Sequence, residues 1–150
     1  MQRWDTWVAA WGGTNFGGER DQLGARLYAS AMLHSYWSVE GAVVRNAPVS
    51  SFTALRGGPA LQIPGNVFGF VNVATDSRRP VVGTFLAAGY RDDEGAGRRL
   101  SLTSTISARV GGGTQLSVAP SLSWWRNPQQ FVASPTLGDS THHVVGDLLQ

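Results

Sequence analysis

The stretch Arg99-Leu100-Ser101-Leu102-Thr103-Ser104-Thr105-Ile106-Ser107-Ala108-Arg109-Val110 decides the fold. Its odd positions are all polar. Leu100, Leu102, Ile106, Ala108 and Val110 stand between them, with Ser104 the one polar even position. Successive side chains of a strand point to opposite faces, so alternation this long is a strand with one polar and one apolar face. Wound as a helix, the same residues would scatter apolar groups around the whole cylinder. Working outward, Leu116, Val118, Pro120, Leu122 and Trp124 alternate with Ser117, Ala119, Ser121 and Ser123. Towards the N-terminus, Leu23, Ala25, Leu27, Ala29, Ala31 and Leu33 alternate with Gly24, Arg26, Tyr28, Ser30 and Met32.

Turn-forming clusters separate these runs: Gly12 to Asp21, His34-Ser35, Asn46 to Ser51, Asp76 to Pro80, Asp92 to Gly97 and Gly111-Gly112-Gly113. Glycine supplies positive φ and Asn or Asp tolerate it, which is the physical basis of a turn. The spacing predicts strands near 3–12, 22–33, 36–46, 66–75, 80–90, 98–109 and 115–126, with others around 51–56 and from about 142. Runs 36–46 and 66–90 alternate less cleanly. Pro120 lacks a backbone donor, so its strand is expected to bulge or to lie partly at an edge. Every connection is short, and there is no linker, long-period repeat or low-complexity tract. The expected architecture is all-β: one domain over 1–150, an antiparallel meander of eight or nine strands, forming an outer-membrane-type β-barrel or part of one.

Composition narrows the class further. Of 150 residues, 42% are apolar and only 15% charged, with 19 glycines. That excludes a disordered chain. All 12 basic residues are arginine, and a net charge of +2 spread along the chain does not point to nucleic acid. The absence of cysteine excludes a disulfide framework, a zinc ribbon and a thiol nucleophile. Met1 to Asp5 does not read as a secretory signal, because a carboxylate arrives at position five and no apolar segment follows the arginine. The uncharged run Gly57–Thr75 carries Pro59, Pro64 and several glycines, too many breakers for a membrane helix. A barrel is the membrane option left.

The polar face separates a soluble barrel from a membrane one. A soluble barrel solvates its outside with Lys, Glu and Arg. Here the polar face is Ser, Thr, Gly and Gln. Charge gathers instead in connections such as Glu19-Arg20-Asp21, Asp76 with Arg78-Arg79, and Arg91-Asp92-Asp93-Glu94. Strands of ten to twelve residues suit a tilted crossing of the apolar layer. Trp11, Tyr36, Trp37, Tyr90, Trp124 and Trp125 lie near strand ends, where an interfacial girdle would place amphipathic rings. The plainer alternative is that these aromatics plug the ends of a soluble barrel.

Three segments carry a family resemblance. Leu55-Arg56-Gly57-Gly58-Pro59-Ala60-Leu61 precedes a strand ending in Thr75-Asp76-Ser77-Arg78-Arg79-Pro80, and Trp125-Arg126-Asn127 leads to His143-Val144-Val145-Gly146-Asp147-Leu148. Their order and spacing resemble the C-terminal barrel of the bacterial family called domain of unknown function 5916, from about Ser51 onward. The resemblance implies an outer-membrane-type barrel that follows an N-terminal carbohydrate-binding-like β-sandwich. The chain departs from that pattern in carrying no sandwich, no signal peptide and no terminal aromatic residue, so it is expected to be a piece of a larger barrel with two unpaired edges.

Catalytic candidates are few. His142-His143 with Asp139 and Asp147 reads as a metal cluster or as a polar rim; adjacent residues of a strand face opposite ways, so only one histidine could join either carboxylate. Asp92-Asp93-Glu94 lacks the alternating ligands of a calcium loop and reads as a solvated turn. Gly12 to Gly18 is glycine-rich, but no helix follows to hold a phosphate, so it reads as a hairpin loop. His34 stands at a tight turn without a nucleophile motif. Arg56-Gly57-Gly58-Pro59 is either an ordinary long connection or an inward-folded loop; in the second case Arg56 lines the lumen or a constriction, together with Arg99 and Arg109.

The expected function is therefore non-enzymatic, with no catalytic, metal or cofactor residue assigned. The chain is expected in the outer membrane against lipid, as a pore or as an anchor for a carbohydrate-binding module. The alternatives are part of a glycoside hydrolase-like protein, although paired carboxylates on facing strands are lacking, and a soluble ligand-binding β-barrel.

Overall fold

A computed structural model describes residues 2–16, 18, 20–51, 61–95, 97–133, 136–137, 140–141 and 144–149, with backbone alone from 127 onward. The elements are β1 (Arg3–Thr14), β2 (Arg20–Met32), β3 (Ser38–Asn46), β4 (Val49–Ser51), β5 (Leu61–Ile63), β6 (Asn66–Ala74), β7 (Val81–Asp92), β8 (Arg98–Val110), β9 (Thr114–Val118), β10 (Ser121–Ala133), β11 (Thr136–Leu137), β12 (Ser140–Thr141) and β13 (Val144–Leu149). All are strands, and the described residues contain no helix.

The main sheet runs β1-β2-β3-β6-β7-β8-β10-β13, each strand antiparallel to the next, with β9 beside β8. It is the expected meander. Two small hairpins, β4–β5 and β11–β12, interrupt it inside the connections that precede β6 and β13. Most strands begin and end within a few residues of where the alternation places them. β3 starts at Ser38 rather than at 36, because Tyr36 takes a φ of 59° and closes a turn. There the Tyr36 N–H donates to the Leu33 carbonyl, and the Leu33 N–H to that of Trp37. The strand expected at 51–56 falls mostly outside the described residues.

Pro120 interrupts the predicted 115–126 strand without shifting it. Thr103 opposes Ser121 and Ile106 opposes Val118, a single continuous register on both sides of the proline. Ser104 N–H donates to the Pro120 carbonyl at 3.0 Å, and the return bond is lost because proline has no N–H. The strand does not bulge. Up to about Trp125 its other side has no ladder partner, so this half of it is an edge.

Burial is the unusual feature. Among the described apolar residues only Ala42 is buried, at 4% exposure. Apart from a contact of β2 with β4, each strand touches only its ladder neighbours. Among the described residues the sheet is therefore a single layer, with no second sheet or helix against either face. β1 and β13 each have one neighbour, leaving two edges among the described residues.

Candidate functional site

Because paired residues share a face, the registers sort the side chains into two sets. The first contains Trp4, Val8, Leu27, Val43, Val71, Phe85, Leu100, Leu102, Ile106, Leu116, Leu122 and Trp124. The second contains Trp7, Arg26, Tyr28, Glu40, Phe70, Asn72, Tyr90, Arg99, Ser101, Thr103 and Ser123. Along β2 the second set is half-buried and the first exposed, so the second face is the shielded, inner one. Most of the exposed large apolar side chains lie on the outer face, including Val8 at 71%, Trp4 at 68% and Leu122 at 53%. A contiguous apolar surface of this extent is rare in water.

The inner face carries a polar cluster at mid-strand. The Tyr28 hydroxyl donates to Glu40 Oε2 at 2.5 Å, and Asn72 Nδ2 donates to Glu40 Oε1 at 3.0 Å. Trp7 stacks on its cross-strand partner Tyr28 at 5.3 Å between centroids, and the Arg26 guanidinium lies 4.9 Å from the Trp7 ring. The carboxylate has two donors and the cation lies against two rings, but Arg26 Nε and Asn72 Oδ1 are buried without a hydrogen-bond partner. Residues 36–46 alternate poorly because Ala42 and Val44 are apolar on the inner face and Arg45 is charged on the outer one, while Glu40 is in phase with the inner face. That lone mid-strand carboxylate is the sequence signal that could have located the cluster.

The two ends of the sheet differ. At one end the turns 33–37, 75–80 and 111–113 are tight and pinned. Asp76, 5% exposed, accepts from the Arg78 backbone N–H and from its Nε and Nη2 at 2.9–3.0 Å. The Arg78 guanidinium lies over the Tyr36 ring, 3.4 Å from its centroid, tying two turns together. These bonds from Arg78 hold the Asp76 carboxyl at about 2, well below the usual carboxylate value. Hydrogen bonds from Gln2 and then from Arg78 lower the Tyr36 hydroxyl.

At the other end two connections are long, 47–65 with its hairpin β4–β5 and 134–143 with β11–β12, and the other two, 15–19 and 93–97, are short. Ile63 and Pro64 meet Phe68, Tyr90, Asp92, Arg99, Ser101 and Trp125 around a cavity of about 670 Å³ on the inner face, bordered also by Arg98 and Arg126. Asp92, read from the sequence as part of a solvated turn, is instead buried at 6% exposure; its Oδ2 accepts the Gly97 N–H across the turn, and its Oδ1 is buried without a hydrogen-bond partner. Asp93 forks onto Arg45 at 2.5 and 2.7 Å, a bond that lowers its carboxyl.

The residues singled out from the sequence are distributed as follows. Arg99 is on the inner face opposite Tyr90 and Trp125, at the cavity. Arg109 is at the tight-turn end, where its Nη2 donates to the Ser77 carbonyl at 3.2 Å. The two are not brought together. Arg56, with Gly57 to Pro59, lies outside the described residues, as do His142, His143, Asp139 and the Asp147 side chain. Of the aromatics, Trp124 is on the outer face, and Tyr36 and Trp37 are in an exposed turn. Trp11, Tyr90 and Trp125 are on the inner face, Trp11 lying across Gly24, where a side chain would displace its ring. Among the described residues no group of His, Cys, Asp and Glu could hold a metal, and no helix is long and apolar enough to cross a membrane. Comparison with known protein families, with curated proteins and with solved structures gives no match.

Proposed function

We propose that the chain is a membrane-spanning segment of an outer-membrane-type β-barrel, non-enzymatic and acting chiefly as an anchor. The observation that carries this reading is the outer face, exposed and apolar on a sheet with no second layer. In water such a face has nothing to cover it; in a bilayer, lipid does. Long strands of up to 13 residues fit a tilted crossing. Eight strands form the path of the main sheet. Short turns throughout one end, and the two longest connections at the other, fit the periplasmic and extracellular ends of such barrels.

The inner cluster of Glu40, Tyr28, Asn72 and Arg26 supports an anchor over a wide pore, because these side chains lie against one another across the inner face. A soluble ligand-binding barrel would turn its apolar face inward, and here the apolar face is the more exposed one. A carbohydrate-handling role for a longer protein rests on the family likeness alone. The test is reconstitution. Mixed with liposomes, the full chain should acquire β-structure, float with the vesicles and protect its 98–110 strand from protease. Recovery of the folded chain in the aqueous fraction would refute the reading.

A further inference from the structure

One inner-face row near the long-loop end reads Phe68, Tyr90, Arg99 and Trp125, each directly opposite the next. All four line the cavity of about 670 Å³. The next inner row towards the tight turns pairs Ala88 with Ser101, so small side chains leave the space that the rings border. Phe68 is 37% exposed although it stands on the shielded face, because it borders this space. Arg99 is exposed as well, and its cross-strand neighbours on both sides are aromatic. Asp92 lines the same cavity two residues along from Tyr90, but its Oδ2 takes the Gly97 N–H, and none of the ion pairs among the described residues joins it to Arg99. The inner row thus presents three rings and a reachable guanidinium to one cavity.

We infer that this cavity binds a small aromatic carboxylate, with Arg99 holding the carboxylate and Tyr90 and Trp125 flanking the ring. A guanidinium is a planar fork that matches the two oxygens of a carboxylate. Aromatic walls on either side add ring–ring contacts worth more than the area they bury. A single fork close to the Asp92 carboxylate suits a monoanion better than a doubly charged phosphate. Cavities of roughly 300–1,000 Å³ with apolar walls and a few convergent polar groups are the usual form of a small-ligand site, and this one falls in that range. The inference concerns the inner face alone, so it goes beyond the anchoring role and does not depend on what covers the outer face.

The experiment takes the full chain in its folded form, in detergent micelles or in buffer, with β-structure verified by circular dichroism. It is titrated calorimetrically with 2-naphthoate against a protein-free blank. Binding should saturate at one site per chain and be roughly tenfold or more tighter than for the neutral 2-naphthamide or for the aliphatic octanoate. Arg99→Gln should lose the preference for naphthoate over naphthamide, and Arg99→Lys, which keeps the charge without the fork, should recover part of it. Arg109→Gln, at the opposite end of the sheet, should change nothing. Absence of saturable binding, or equal affinity for naphthoate and naphthamide, overturns the inference on the unaltered chain, whether or not a variant folds. Octanoate binding as tightly as naphthoate would make this an aliphatic-chain site and refute the aromatic assignment. Tighter binding of naphthyl phosphate would refute the carboxylate, and loss in Arg98→Gln but not in Arg99→Gln would move the anion to the cavity border and refute the role of Arg99.

Discussion

Replacing Leu102 by arginine should prevent or severely weaken membrane insertion, while Thr103→Arg, one residue along, should be tolerated. The two positions differ in face. Leu102 points outward between Ala87 and Leu122, and Thr103 inward between Leu86 and Ser121. Depth is counted from Arg98, the outward-facing charge at the start of β8. Leu102 stands four residues from Arg98 on β8, about 13 Å along a strand rising ~3.3 Å per residue. With a tilt of about 40° that is roughly 10 Å of depth, near the middle of an apolar band about 25 Å tall. An arginine on the lipid face at that depth costs about 2–4 kcal/mol. At roughly 1.4 kcal/mol per decade, the folding equilibrium in lipid falls about thirty- to several-hundredfold. The assay is urea-titrated folding into liposomes, followed by tryptophan fluorescence and by band shift on unheated gels. Equal insertion of the two variants, or preferential loss in Thr103→Arg, would refute the assignment of faces.

Without lipid or detergent, the chain should form β-rich oligomers, because the edges at β1 and β13 and the apolar face are all open to pairing; a monodisperse monomer with cooperative melting would refute this. The turn held by Asp76 should lose stability on acidification. Its folded value of about 2 lies below the ordinary 3.8, so the contribution is complete above about pH 4 and lost as pH falls through 2, and Asp76→Asn should flatten denaturant midpoints measured across that window. Gly41→Val should destabilise the sheet by about 1–3 kcal/mol, since a Cβ there would stand 2.8 Å from the Phe70 carbonyl oxygen of the neighbouring strand, as equilibrium unfolding in lipid would register.

The strands were legible because their period is short and their turns carry glycine, Asn or Asp: the run 99–110 needed no knowledge of its partners. What could not be read was anything that depends on register. Trp11 and Trp124 are equivalent in composition and both lie near strand ends, yet one rests on Gly24 inside and the other faces out. That difference is fixed by pairing offsets between strands. The cross-strand alignment of Arg91, Arg98 and Arg126 was invisible for the same reason, being fixed only by the ladders between β7, β8 and β10. Asp76 and Arg78 sat in plain view in a charged turn, but the stacking of Arg78 on Tyr36 joins two turns far apart in sequence.

The connection 47–65 is the longest one, and its small hairpin β4–β5 is paired only with itself. Closing a loop of that length costs only about 1 kcal/mol more than closing a five-residue turn, because the entropy grows with the logarithm of length. Further residues would add still less. The β3–β6 ladder, formed by nine residues on each side, does not depend on what the loop contains. This is therefore the position at which the sheet can carry a longer insert, such as a display epitope or a second module, without losing its register.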